Sequence, residues 1–169
     1  QYAVAGGSDI ALSCDLLVIE TTARIGYMPT RVWGCPSTAM WLYRVGMQHA
    51  KRLLFTGDTI DGATAKEWGL AIEAVPPGEL DAAVDRLAER IAGVPRAQLM
   101  MQKLMINQAY ENMGLASTQM TATLFDGITR HSPEGVWFKD HAQKHGFHAA
   151  VAWRDSGRPI PSARKKARR

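Results

Sequence analysis

The chain has little cysteine: two residues in 169, Cys14 and Cys35, too few for a disulfide framework. They read as reduced packing residues of a cytoplasmic protein. Cys35 falls in a loop, and nothing near it in sequence would activate a thiolate. No apolar run approaches the roughly 18 residues a spanning helix needs, and no signal peptide is visible, so no membrane association is expected. The five histidines are scattered, and none pairs with a cysteine or carboxylate at metal-ligand spacing. His141 and His145 share a helix face but have no third ligand, which reads as a solvated face, and no metal is expected. Gly6-Gly7-Ser8 lacks the further glycine and downstream acid of a nucleotide fingerprint. No Ser-His-Asp set can be assembled, and no internal repeat is visible.

What is present is a globular composition, 46% hydrophobic with mixed charge, and enough length for one domain with a core. The net charge of +4 comes from the end of the chain. Residues 154–169 hold seven arginines and lysines against Asp155 alone, which leaves the remainder slightly acidic. Pro159, Pro161 and Ser162 make this a loose extension. Such a tail either touches nucleic acid or an acidic surface, or is simply solvated. No aromatic residue interleaves with it, so nucleic acid is not an expected partner.

Pattern divides the chain into a β/α half over residues 1–76, an all-helical part over 77–156 and the basic tail over 157–169. The run Leu16–Ile19 fits a buried strand, and Arg24-Ile25 a weaker one. Residues 29–36 read as an irregular loop. Helices fit from Pro36-Ser37 to a stop at Gly46, from Gln48 to Phe55, and from Ala63 to Trp68, with a strand over Ala71–Val75. Leu80, Val84, Leu87 and Ile91 mark the next helix face. Met100, Met101 and Met105 read as the flexible core filling of another helix, to about Asn112. Further helices fit Ala116–Thr129 and, behind a Ser132 cap and Pro133, a span to about Lys144. A last short helix carries Ala150 and Trp153. Trp33 and Trp41 either line a pocket or serve as core aromatics.

The strongest functional signal is at the start. In Ala3–Asp15 a short apolar run meets Gly6-Gly7, and a helical pattern follows at once. Such a junction leaves backbone N–H groups bare at a helix N-terminus, where the dipole favours negative charge and glycine admits a close ligand. It suits an oxyanion hole as well as it suits plain packing. Asp9, in the first turn, is either a proton-handling carboxylate or a partner of the helix dipole.

This stretch resembles the Gly-Gly-Gly-x-Glu-Leu-Ala-x-x-Cys-Asp motif of the crotonase (enoyl-CoA hydratase/isomerase) superfamily. Ala23-Arg24-Ile25-Gly26 is similar to its Ala-x-Phe-Gly. Thr56-Gly57-Asp58-Thr59-Ile60 is similar to its Thr-Gly-x-x-Ile, followed by Ala65 through Gly69-Leu70 and the Val75-Pro76 turn. Pro133-Glu134-Gly135 with Phe138 resembles its C-terminal Glu-Gly. The resemblance implies an α/β fold: the C-terminal part of a crotonase-like β/β/α superhelix, then an all-helical trimerisation region. It also implies that the front portion of such a protein, with the first oxyanion-hole residue, precedes Gln1.

The function so implied is that of an acyl-CoA thioester enzyme of the hydratase/isomerase type. Gly6 matches the second backbone donor to the thioester oxygen, and Asp9 matches the first of two catalytic glutamates, one methylene shorter. The second glutamate is missing: in Gly26-Tyr27-Met28-Pro29-Thr30-Arg31 its place falls on Pro29 or Thr30, neither of which is a carboxylate. Water addition by two carboxylates is therefore not expected; the one carboxylate is compatible with an isomerase-like proton shuttle or with another thioester-enolate reaction. Ala5, Gly6, Gly7, Pro29, Thr30 and Trp33 are the expected substrate contacts. No cofactor is implied beyond coenzyme A as part of the substrate, and the expected assembly is a homotrimer or a dimer of trimers. The alternative is a non-catalytic homologue that binds acyl-CoA, or assembles with partners, without turnover.

Overall fold

The computed structural model describes residues 1–161. The basic cluster expected in the tail, residues 162–169, lies outside them. The apolar run before Gly6 forms strand β1 (Tyr2–Val4), helix α1 (Gly6–Ser13) follows, and two short strands come next, β2 (Val18–Glu20) and β3 (Arg24–Gly26). β1 pairs in parallel with β3, with Val4 opposite Gly26. Parallel pairing needs a crossover connection, and α1 with β2 supplies it. The two chains therefore leave this pair on the same side, through Ala5-Gly6 and through Tyr27. That shared exit builds the site.

A strand not foreseen from sequence, β4 (Thr59–Asp61), lies antiparallel to β3. Its three residues are too few for a periodic signal; pairing makes it a strand. Gly26 is obligatory there, because a Cβ on it would lie 2.7 Å from the Asp58 carbonyl oxygen. Arg24 fastens the edge, its Nη2 donating to the Thr59 carbonyl at 2.8 Å. β5 (Glu73–Val75) pairs in parallel with β2 as a separate ribbon.

Leu12, Ile25, Trp41 and Leu53 are sealed in the core between these strands and helix α2 (Met40–Thr56). Trp41 thus serves as a core aromatic. Gly46, at φ 72° and ψ 171°, breaks α2 into two pieces, as the glycine stop requires. The first piece begins four residues later than Pro36 because residues 36–39 form a turn, closed by the Ala39 N–H on the Pro36 carbonyl at 2.9 Å. The span 28–31 is a 3-10 turn rather than irregular loop. α3 (Gly62–Glu67) completes this half, its start capped by the Asp61 carboxylate, which accepts the Thr64 N–H at 2.8 Å.

From Leu80 onward the chain is helical: α4 (Leu80–Ala92), α5 (Arg96–Asn112), α6 (Leu115–Arg130), α7 (Pro133–His145) and α8 (Phe147–Asp155). The Ser132 cap is present, its hydroxyl accepting the Gly135 N–H at 3.1 Å. Two expectations need correction. α5 has no buried residue, and Met100, Met101 and Met105 are surface rather than core, because nothing in the described chain covers the face that carries them. Cys14 caps the end of α1 in the open and is not a packing residue. α6 does not stand apart from the β/α half: Leu115, Thr118, Gln119, Ala122, Asp126 and Thr129, all withdrawn from solvent, follow a helical period along one face. That face meets residues 34–43. Among the described residues no helix is long and apolar enough to cross a membrane.

Candidate active site

The junction after β1 is held by four hydrogen bonds on one residue. The Ala5 N–H continues the strand ladder onto the Gly26 carbonyl at 3.1 Å. The Ala5 carbonyl accepts the Ser8 and Asp9 amides at 3.0 and 3.1 Å and the Ser8 hydroxyl at 2.6 Å. This grip bends the chain sharply, and Ala5 sits at φ 52°, ψ −122°, a region normally left to glycine. Ala5→Gly is accordingly expected to raise the unfolding free energy by about 1 kcal/mol, the relieved strain exceeding the added chain entropy. A urea melt of the two forms measures it.

The bend leaves the Gly6 and Gly7 amides without a partner among the described residues. A Cβ built on either glycine meets no atom within 4 Å, and both residues are exposed at the positive end of α1. Asp9 stands in the first turn of the same helix, partly buried, with its Oδ1 accepting the Thr38 hydroxyl at 2.9 Å. Burial pushes its carboxyl above the ordinary carboxylate range; the Thr38 bond opposes this and the charge of Asp126 adds to it.

Three residues that sequence reasoning did not single out complete the cluster. Asp126, from α6, accepts the Cys35 amide on Oδ1 at 3.1 Å and the Arg130 guanidinium on Oδ2 at 2.9 Å. α6 also takes the Gly34 amide on the Thr129 hydroxyl at 3.1 Å, and Gln119 donates to the Thr38 carbonyl at 3.0 Å. The loop that carries Thr38 to Asp9 is thus pinned by one helix face. Tyr27 is buried, and the third residue, Thr38, bridges loop to carboxylate. The one sequence signal was the helical spacing of Gln119, Asp126 and Thr129 along one face of α6. Burial also raises the Cys35 thiol, with the charges of Asp126 and Asp9 adding to it, so it is no ready thiolate.

The other expected contacts, Pro29, Thr30 and Trp33, are placed as follows. The Thr30 hydroxyl donates to the Leu54 carbonyl at 2.7 Å, near the end of α2. Pro29 packs toward Gly34, whose Cβ would lie 3.1 Å from the proline Cβ. Trp33 turns to α6 and α7, under the Arg130 guanidinium at 4.2 Å and edge-on to Phe138 at 6.3 Å. It lines a cavity of about 600 Å³ with Val136, Phe138 and Phe147. Gly6, Gly7 and Asp9 are not among the residues lining that cavity. His141 stacks on Trp137 at 4.7 Å rather than standing on a free polar face.

Comparison with known proteins agrees with this architecture. The Enoyl-CoA hydratase/isomerase family profile matches residues 2–144. The crystal structure of an enoyl-CoA hydratase from Mycobacterium smegmatis superposes with a TM-score of 0.89 at 55% identity, covering 92% of this chain and 53% of that one. An enoyl-CoA hydratase/isomerase from Xanthobacter autotrophicus Py2 superposes with a TM-score of 0.84 at 27% identity, covering 93% and 60%. Among curated proteins, one from Dictyostelium discoideum named "Probable enoyl-CoA hydratase, mitochondrial" is 29% identical over 153 residues, 89% of this chain and 52% of that protein. The chain spans about half the length of these relatives. With its few strands and many helices it has the C-terminal part of their fold, and it belongs to the enoyl-CoA hydratase/isomerase family.

Proposed function

We propose that this chain carries the proton-transfer part of an acyl-CoA thioester enzyme. The thioester oxygen sits before the Gly6 amide, with Ala5 and Gly7 beside it, and Asp9 moves a proton at C2 of the acyl group. The carboxylate takes the C2 proton, and the C–H electron pair enters the C1–C2 bond. The carbonyl oxygen becomes an oxyanion, which the Gly6 N–H and the positive end of α1 stabilise. Return of the proton to C2 gives exchange; return further along an unsaturated chain moves its double bond. One observation carries this reading: two adjacent main-chain amides, without partners among the described residues, belong to exposed glycines one helical turn before a carboxylate.

Isomerisation is favoured over hydration by two carboxylates. The chain has Pro29 and Thr30 where the second acid would stand, and the Thr30 hydroxyl is engaged by Leu54. Coenzyme A enters with the substrate, and no metal or redox group is invoked. The open methionine face of α5 fits burial against sister subunits. The test uses the natural full-length protein: butyryl-CoA in D2O is followed by proton NMR, and 3-enoyl-CoA by ultraviolet absorbance. Loss of the C2 proton signal and appearance of the conjugated double bond are expected. Tight binding of both esters with no exchange and no shift would leave a non-catalytic acyl-CoA binder instead.

A further inference from the structure

His141 and His145 stand one helical turn apart on α7 and share its face. Their ring centroids are 4.5 Å apart, with the planes tilted by 40°. His141 is half-buried and held from behind: Trp137, one turn earlier, stacks on it at 4.7 Å, and Trp153 of α8 stands 5.7 Å away. Packing of this kind fixes the ring before any ligand arrives. His145, the last residue of α7, is exposed at the negative end of the helix, where a cation is favoured. The one side-chain hydrogen bond of a histidine among the described residues is made by His131, so the protein does not engage the nitrogens of this pair.

The two rings open onto a cavity of about 460 Å³ lined also by Trp153, Ser156 and Arg158. Among the described residues no carboxylate lines it, and the Arg158 guanidinium, 5.3 Å over the Trp153 ring, adds positive charge. A cation held by charge and oxygen ligands, such as magnesium or calcium, is therefore disfavoured there. A metal that forms a coordinate bond to neutral imidazole meets no such obstacle, and copper, nickel and zinc are the divalent ions suited to that ligand. Histidines at positions i and i+4 of one helix hold zinc in this manner. Zinc–nitrogen bonds are about 2.0–2.1 Å long, so the two nitrogens must come within roughly 3–4 Å of each other, which rings this close achieve by small rotations.

We propose that His141 and His145 form a two-histidine site for a divalent transition metal that favours imidazole: copper(II), nickel(II) or zinc(II). No third histidine, cysteine or carboxylate joins them among the described residues, so water fills the remaining coordination positions and the metal exchanges freely. The site is separate from Gly6 and Asp9 and does not depend on the acyl-CoA reading. A bound ion ties the last turn of α7 together and stabilises the folded chain by mass action.

The test titrates the natural full-length protein, free of any affinity tag and stripped with EDTA, with the chlorides of copper, nickel, zinc and magnesium, read by calorimetry. Copper is expected to bind most tightly, nickel and zinc after it, and magnesium not at all. His145→Ala, a change at an exposed helix end, is expected to fold as the wild type does and to lose one equivalent of each transition metal, whereas His131→Ala keeps it. Copper is also expected to quench part of the tryptophan fluorescence in the wild type and less of it in His145→Ala, because Trp137 and Trp153 lie against His141. A measurement needing no substitution stands beside these: with histidine labelled by 15N, zinc shifts the ring signals of His141 and His145. Equal metal uptake by wild type and His145→Ala overturns the proposal. So does magnesium binding as tight as that of copper, and so do ring signals of this pair that zinc leaves in place.

Discussion

Gly6→Val is expected to fold like the parent and to lose about 10²- to 10³-fold in kcat/KM on an acyl-CoA substrate, the range seen when one oxyanion donor is withdrawn. The two halves of this expectation have separate causes. Gly6 is exposed at the first position of α1, and a Cβ there meets no atom within 4 Å, so the fold accepts a side chain. Valine is also the better helix former, by a few tenths of a kcal/mol. The ligand, however, must approach the amide through the same open space, and a branched side chain occupies it. Calorimetry and the C2-exchange rate read the two effects independently. An unchanged melting temperature with full activity would mean that the amide never meets the substrate. A collapse of both would mean that Gly6 is a packing residue.

Asp9→Asn is expected to abolish most of the proton transfer, about 10²- to 10⁴-fold in rate, while leaving the protein as stable or more so at neutral pH. The sign follows from the direction of the shift. Burial raises the folded-state carboxyl above its unfolded value; the Thr38 bond counteracts this and the charge of Asp126 reinforces it. The folded protein therefore binds this proton more tightly than the unfolded chain does. The stability Asp9 contributes is fully present below the ordinary carboxylate range and is lost as pH rises through the raised folded value. At neutral pH the ionised group opposes folding, and asparagine removes that opposition. Catalysis runs the other way, because the base must be ionised: the rate rises with pH along a limb above the usual carboxylate range. A pH–rate profile beside melting temperatures of wild type and Asp9→Asn tests both signs. A limb at the ordinary carboxylate pH, or exchange that persists in Asp9→Asn, would reduce Asp9 to a group that merely complements the helix dipole.

Much of the fold was legible because local chemistry dictated it. Gly46 and Gly57 stop α2's two pieces with positive φ, Ser132-Pro133 starts α7, and Gly6-Gly7 starts α1. Each needs only a few neighbouring residues to act. β4 was not legible, since its three residues owe their extended form to pairing with β3. Nor was the surface position of the methionines in α5. An apolar helix pattern states that a face wants cover, not that this stretch of chain provides it.

The same division runs through the site. Gly6 and Asp9 lie three residues apart, and the helix that holds them is written in those residues, so their juxtaposition was readable from the sequence alone. Asp126 reaches the Cys35 amide across 91 positions, and Thr38 reaches Asp9 across 29. Parallel pairing of β1 with β3 brings the end of β3 at Gly26 against Ala5, the residue before Gly6. The sequence by itself determined the family, the helix start with its bare amides and the loss of the second acid. Only the tertiary structure decided which distant groups surround those amides. Helix caps and glycine bends act over one turn of chain, whereas strand pairing and helix docking bring together residues whose spacing in sequence carries no trace of the contact.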